Sequence, residues 1–351
     1  MAPSSQTQAS APGEDRKEKD SGPLWVVTGA AGFLGNNLVR ALLAQDQHVR
    51  AAIVEESTPR SLLGLDVEVV RMDVRDRLSV AAAFEPVAGR QTWVIHCAGI
   101  VSISDTESPL VRHVNVDGVV NVLDACSATG VARLVYVSSI HSLPVSQGIG
   151  REKDNPEDYD PALVSGAYSK TKAEATRLVL EDNGLWRVVV LPTGMIGPRD
   201  YADTNMTRMV RDAASGALPI SVSGGYDFVD VRDVADGIIL AARKGIDGHT
   251  YILSGAYVST ERMVGAVASA KKRPRPFALP RGFIRLFTPL ARWVAKLRGT
   301  EPIVTASSLG VLGEPGQFTS QRAYDELGYR TRPFQETLRD TLEWIETYKA
   351  E

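Results

Sequence analysis

Leu24-Trp25-Val26-Val27-Thr28-Gly29-Ala30-Ala31-Gly32-Phe33-Leu34-Gly35 decides how the chain is read. A short apolar run breaks into three glycines and then takes up helical spacing at Leu38, Leu42 and Leu43. The order is strand, turn, helix. So tight a turn needs residues that tolerate φ > 0, and a backbone that must touch a phosphate cannot carry a Cβ in the way. The helix that follows aims its free N–H groups and positive dipole end at the same place. A nucleotide-sized anion is therefore the first ligand expected, against Gly29, Gly32, Phe33, Leu34 and Gly35.

Working outward, the second strand is expected at Val49–Val54, with Glu55 at its end, about 20 residues past the glycines, where a carboxylate accepts ribose hydroxyls. A third strand, Val67–Val70, leads to Met72-Asp73-Val74, which places Asp73 and Val74 beside an adenine; a turn aspartate is the plain alternative. Thr92–His96 is a fourth strand. It ends in Cys97-Ala98-Gly99, small residues that let the chain pass close to a cofactor, and His96 reads as a satisfied strand-end histidine. A helical pattern from Leu110 to Ala128 precedes a fifth strand, Leu134–Val137, and then Ser138-Ser139. Strands alternating with helices in this order predict an α/β fold, a doubly wound parallel sheet of Rossmann type with helices on both faces.

At 351 residues and 44% hydrophobic content the chain is long enough for one large domain and a smaller lobe. The expected division is a tail at 1–23, a dinucleotide-binding unit at 24–198 to which part of 228–253 returns, and a mainly substrate-binding α/β lobe at 199–351. The tail is polar, without the apolar stretch of a signal peptide, and reads as disordered. No segment is long and uncharged enough to span a bilayer, so a cytoplasmic protein is expected. Cys97 and Cys126 fall in a predicted strand and helix and read as core thiols of a reducing compartment.

Tyr168-Ser169-Lys170-Thr171-Lys172 lies in a helix expected from Leu163 to Glu181, and a spacing of four puts Tyr168 and Lys172 on one face. A phenol near pKa 10 needs roughly 4 kcal/mol to reach about 7. One ammonium about 4 Å away, at an effective dielectric near 20, supplies roughly that much. Lys172 is thus placed to make Tyr168 a working acid or base.

With Thr28–Gly35, Asn115–Asn121, Ser138-Ser139, Tyr168–Lys172 and Leu191–Pro198 in view, the chain resembles the extended short-chain dehydrogenase/reductase family over residues 24–260. The resemblance implies hydride transfer to or from NAD(P). Tyr168 would be the proton donor or acceptor, Ser139 would orient the substrate oxygen, and Asn115 would support a proton relay. Lys172 would hold the nicotinamide ribose and lower the phenol, with Pro192 and Thr193 in the cofactor-binding set. Glu55 would repel a 2′-phosphate, so the leaning is to NAD; Arg50 and Arg60 are the residues that reverse it.

Nucleotide-sugar epimerases of the family place a phosphate-clamping Arg where this chain has Tyr226, and sugar dehydratases an Asp-Glu pair where it has Ile140-His141. Both departures point to the branch that resembles dihydroflavonol reductases and 3β-hydroxysteroid dehydrogenases, whose substrates are apolar alcohols and ketones. His141 itself reads as an exposed loop residue. The first alternative is an NAD-dependent nucleotide-sugar epimerase; the second, a dinucleotide sensor without catalysis.

The net charge is −3, yet Lys271–Arg298 holds nine Lys or Arg and no acid, and 281–298 reads as a basic amphipathic helix. It is expected either to lid the pocket or to touch an anionic membrane surface. The partners so expected are an apolar small molecule, a peripheral membrane contact through 281–298 and a second copy in a homodimer, with no nucleic acid and no metal.

Overall fold

The computed structural model describes residues 22–54, 59–102, 108–144, 149–218, 220–279 and 317–350. Most of the tail, Glu55 and the basic 281–298 stretch lie outside these residues. Strands β1 (Leu24–Thr28), β2 (His48–Ile53), β3 (Glu68–Arg71), β4 (Thr92–His96) and β5 (Arg133–Val137) come first. Then follow β6 (Ile149–Gly150), β7 (Arg187–Pro192), β8 (Gly194–Ile196), β9 (Ile220–Val222), β10 (Gly225–Asp230), β11 (Thr250–Leu253), β12 (Ala256–Ser259), β13 (Phe277–Leu279) and β14 (Gln317–Phe318). The helices are α1 (Phe33–Leu43), α2 (Arg77–Ala83), α3 (109–129), α4 (Ala167–Glu181), α5 (Asn205–Ser215), α6 (Val231–Lys244), α7 (Thr260–Ala270) and α8 (Phe334–Ala350).

Seven strands form one sheet in the order β3-β2-β1-β4-β5-β7-β11, and every pair in it is parallel. Alternation along β1 shows why both faces are covered. Trp25 and Val27 enter one core with Leu38 of α1 and Ile238 of α6, while Leu24 and Val26 enter the other with Val122 of α3 and Val179 of α4. Successive side chains of a strand point to opposite faces, so an uninterrupted apolar run buries on both. Chain order reverses between β1 and β4, and the carboxyl ends of these two strands open the crevice where such sheets bind ligands. The expected doubly wound fold is the observed one.

In the lobe β10 pairs parallel with β8 and antiparallel with β12. Ile196, Val210, Phe228, Val264 and Leu342 pack together beneath this sheet with α5, α7 and α8. Strand β10 ends where Asp230 caps α6, its carboxylate accepting from the Arg232 N–H at 2.8 Å. Helix α4 starts at Ala167, not Leu163, because Gly166 has φ +91° and breaks the chain away from a preceding single turn at Pro161–Leu163. The helix α3 contains a π turn at His113–Asp117, which spacing alone did not signal. Among the described residues no helix is long and apolar enough to cross a membrane.

Candidate active site

The turn after β1 uses its glycines for different ends. Gly29 has φ +64°, and a Cβ there would come within 2.9 Å of Ala98 Cα. A Cβ on Gly35 would press into the Gly29 carbonyl and lie 2.8 Å from Ala30 Cα, so this glycine lets α1 seat against its own turn. Gly32 is different. It opens α1 with no side-chain cap, and a Cβ there would meet only the Gly29 oxygen, at 3.2 Å. The space over the first N–H groups of α1, at Phe33, Leu34 and Gly35, is a cradle that a side chain at 32 would fill, and it suits a pyrophosphate. Asn36 and Asn37 anchor the helix start to the lobe side, donating to the carbonyls of Arg199 (3.0 Å) and Pro198 (3.3 Å).

Thr28 joins this turn to the next crossover. Its Oγ1 accepts from the N–H groups of Cys97 and Ala98, both at 3.1 Å, and lies 2.7 Å from His96 Nδ1. With both lone pairs engaged, the hydroxyl donates to Nδ1, which puts the imidazole proton on Nε2. Burial holds His96 down to about 3, so it is neutral. It is bonded on one side only, since Nε2 is buried without a partner among the described residues. The Cys97 thiol is pushed up to about 12 by burial and is unreactive. Both cysteines are free.

The segment Cys97-Ala98-Gly99 then passes Lys172: a Cβ on Gly99 would lie 3.3 Å from Asn115 Oδ1 and 3.8 Å from Lys172 Nζ. Asn115, on the π turn, accepts from the Ile100 N–H at 2.8 Å and donates to Ile100 O at 2.9 Å and Thr171 Oγ1 at 3.3 Å. Its side chain fastens the loop after β4 to α4. At the end of β5, Ser139 is buried and stands near enough to the Tyr168 phenol to lower it, and its Oγ accepts from the His141 N–H at 3.2 Å. Ser138 and Thr176 join hydroxyls at 2.5 Å and Ser142 Oγ donates to Ser139 O at 2.7 Å, so the serine turn is braced from behind.

Tyr168 and Lys172 share a helix face as expected, but the ammonium is spent elsewhere. Lys172 Nζ donates to Val137 O at 2.8 Å and to Tyr136 OH at 3.3 Å, and burial lowers it to about 8. Tyr168 stands at about 12, raised by burial and pulled back in part by Ser139. The expected lowering of the phenol by Lys172 thus gives way to desolvation, the larger effect where the cation faces a carbonyl. His141 is corrected too. It is half-buried and not an exposed loop residue, with burial lowering it to about 4, and its Nε2 lies 2.9 Å from Tyr226 OH.

On the cofactor side, Pro192 ends β7 in the core and Thr193 is buried with its Oγ1 unpartnered among the described residues. That orphaned hydroxyl fits an incoming polar group such as a carboxamide. Val74 is buried against α3, its carbonyl accepting from Asn121 at 2.8 Å. Asp73 is gripped by Arg75 at 3.0 Å, which holds its carboxyl below the usual range, so an adenine amine would compete with a guanidinium. Arg50 cannot turn to a 2′-phosphate: it is buried and held by Glu68 and the carbonyls of Ala83 and Glu85. A half-open pocket of about 280 Å³ is lined by Phe228, Asp230, Arg332 and Phe334, and none of Ser139, Tyr168 and Lys172 lines it. Tyr136 was missed in the sequence; its signal was alternation, two residues before Ser138 on the same face of β5.

A switch-point crevice, a cradle at a helix start and a phenol set beside a serine together define a dinucleotide-dependent oxidoreductase. The model of the NAD dependent epimerase/dehydratase family matches residues 25–254, and the chain belongs to that family. It is 32% identical over 328 residues to sterol demethylase protein B of Methylococcus capsulatus, covering 91% of this chain and 97% of that one. To 3 beta-hydroxysteroid dehydrogenase type 7 of Mus musculus it is 35% identical over 245 residues, 63% of each chain. The solved Thermus thermophilus UDP-glucose 4-epimerase, a complex with NAD, superposes with TM-score 0.70 at 23% identity over 92% of this chain and 99% of that one, a likeness of fold. The expected family, enzyme class and NAD(P) cofactor stand with these findings.

Proposed function

We propose that this enzyme interconverts a secondary alcohol and a ketone on an apolar, steroid-like molecule, with NAD as its cofactor and Tyr168 as its acid and base. The observation that carries this is the placing of Ser139 next to the Tyr168 phenol, which it lowers, on the helix whose Lys172 Nζ stands beside the Gly99 backbone. The sterol-directed names of two relatives, together with neutral aromatic residues at 141 and 226, support the substrate class.

When bound, the nicotinamide gives or takes the hydride. The chain does the rest. Gly29, Gly32, Phe33, Leu34 and Gly35 hold the pyrophosphate, Cys97, Ala98 and Gly99 line its path, and Thr193 and Lys172 hold the nicotinamide end. Glu55, Asp73 and Val74 take the adenosine end. Ser139 and Tyr168 converge on the substrate oxygen. With its pKa at about 12, Tyr168 carries its proton at neutral pH and so delivers it to a ketone; running as a base it must first lose that proton. Asn115 fastens the loop after β4 to α4 beside Lys172. On this reading 24–198, joined by part of 228–253, binds the cofactor, and 199–351 mainly binds substrate, in a cytoplasmic protein that touches membranes through 281–298 and pairs as a homodimer.

Tyr168→Phe tests it. Turnover of a 3-hydroxysteroid panel should fall 10²- to 10⁴-fold, the range for losing a general acid, while NADH affinity stays within about twofold. Equal turnover in variant and wild type would refute the role. A wild type that turns over UDP-glucose and no steroid would favour the epimerase.

A further inference from the structure

His141 and Tyr226 stand 85 positions apart, one in the turn after β5 and the other on lobe strand β10, and they meet. Tyr226 OH and His141 Nε2 are 2.9 Å apart. Their rings lie side by side in similar planes, 6.1 Å between centroids with 23° between planes. The other face of the arrangement matters more: the His141 ring stands edge-on to the Tyr168 ring at 6.2 Å and 72°. Tyr226 continues into Phe228 at 5.7 Å. A line of aromatic rings therefore runs from the phenol that carries the chemistry into the lobe core, crossing the seam between sheet and lobe at one hydrogen bond.

We propose that the His141–Tyr226 pair is the specificity wall of the active site, an uncharged aromatic surface beside Tyr168 that accepts the ring face of a neutral polycyclic alcohol and rejects a nucleoside diphosphate. The proposal rests on the alcohol–ketone reading above and names the residues that choose its substrate. Three observations support it. The imidazole, half-buried in the turn after β5, is neutral, since burial lowers it to about 4, so it offers no cation to a phosphate. The room for Tyr226 is built in, because a Cβ on Gly194 would lie 2.6 Å from the Tyr226 ring. The His141 N–H donates to Ser139 Oγ, so the wall and the hydroxyl that orients the substrate share one turn. A flat neutral surface of two rings joined edge to edge binds apolar rings by burial and dispersion, and leaves a buried diphosphate without compensation.

The test is equilibrium dialysis of a radiolabelled 3-hydroxysteroid and of UDP-glucose against the NAD-loaded full chain, with turnover read alongside. Wild type should bind the steroid and not UDP-glucose. His141→Ala should weaken steroid binding tenfold or more and raise KM with kcat within threefold, while NAD affinity is unchanged. His141→Phe, which restores a flat ring without the hydrogen bond, should keep steroid affinity within threefold, and guards against a fold defect in the alanine variant. Tyr226→Arg should gain measurable UDP-glucose binding. Steroid affinity unchanged in His141→Ala, equal loss in the alanine and phenylalanine variants, or wild-type binding of UDP-glucose overturns the wall. Steroid binding with this pattern but without turnover keeps the wall and refutes the oxidoreductase reading.

Discussion

Lys172 Nζ donates to the carbonyl of Val137 at 2.8 Å, tying the middle of α4 to the last residue of β5. The bond fixes where the charge sits: over the Tyr136 ring, 4.9 Å from its centroid, and beside the Gly99 backbone. An ammonium so enclosed gives up its proton early, at about 8. A charged donor bonds more strongly than a neutral amine, so whatever Lys172 holds in the bound state is held below that pH and released above it. The wild-type kcat/KM for ketone reduction is expected to fall above about pH 8. Lys172→Met should lose 10- to 100-fold at pH 7 and show no further break near pH 8. A wild-type profile flat to pH 10 contradicts this, because the Tyr168 phenol, at about 12, cannot produce a limb so low.

The glycine turn separates fold from ligand. Gly35→Ala would drive a Cβ into the Gly29 carbonyl, with backbone on every side, and is expected to cost more than about 2 kcal/mol in urea unfolding. Gly32→Ala meets one oxygen at 3.2 Å and should fold with less than about 1 kcal/mol lost. Its methyl nonetheless stands in the cradle, so NADH affinity by fluorescence titration should drop at least tenfold. Full NADH affinity in Gly32→Ala would remove the pyrophosphate from this turn.

The features that could be read from the chain were those written in a few neighbouring residues. The turn from Thr28 to Gly35 and the Tyr168–Lys172 spacing are local, and both appear where expected. Most of the partners chosen by these groups were not readable. Lys172 faces Val137 because α4 packs on β5, 35 positions earlier, and His141 meets Tyr226 only once β10 is laid against the seam. Arg75 takes Asp73 for a local reason that composition did hold, a guanidinium two residues on. Arg50, weighed as a ligand of the cofactor, is fully engaged at the far end of β2 by Glu68 and two carbonyls. Burial decided the cases of Lys172, His141 and Arg50, and burial is a property of the packed chain.

Asp227 shows the same effect as a stability term. It is 3% exposed, accepts from Gly255 N at 3.2 Å and from Phe318 N at 3.3 Å, and is pushed up by burial to about 6. Folding therefore favours its protonated form. The contribution is fully present below the unfolded value near 3.8 and is lost as pH rises through about 6. A shift of about two units corresponds to roughly 3 kcal/mol, so unfolding free energy from urea titration should carry a downward component of that order between pH 4 and 6. Asp227→Asn should flatten that component, whatever its stability at one pH. Identical slopes in the two proteins would place the titration elsewhere.

At the opposite edge of the sheet, Arg133 lies between two indoles, 4.8 Å from the Trp93 ring centre and 4.3 Å from that of Trp186. Trp93 meets Trp25 edge to face at 5.0 Å. The register makes this row, since Trp25 pairs with Trp93 and Trp93 with Arg133 across β1, β4 and β5. The guanidinium also donates to Ala242 O at 2.6 Å, in the last turn of α6, where a cation suits both the free carbonyls and the helix dipole. Two cation–π contacts of about 0.5–1 kcal/mol each and one charged hydrogen bond of about 1.5 kcal/mol make Arg133→Met a loss of about 2–4 kcal/mol. Arg133→Lys keeps the charge but cannot lie flat between two rings and should recover less than half of it. Because none of these groups touches the carboxyl edge of the sheet, kcat/KM under native conditions should stay within twofold of wild type. A large fall in turnover with unchanged urea midpoint would instead mean that this row reaches the active site through the strands.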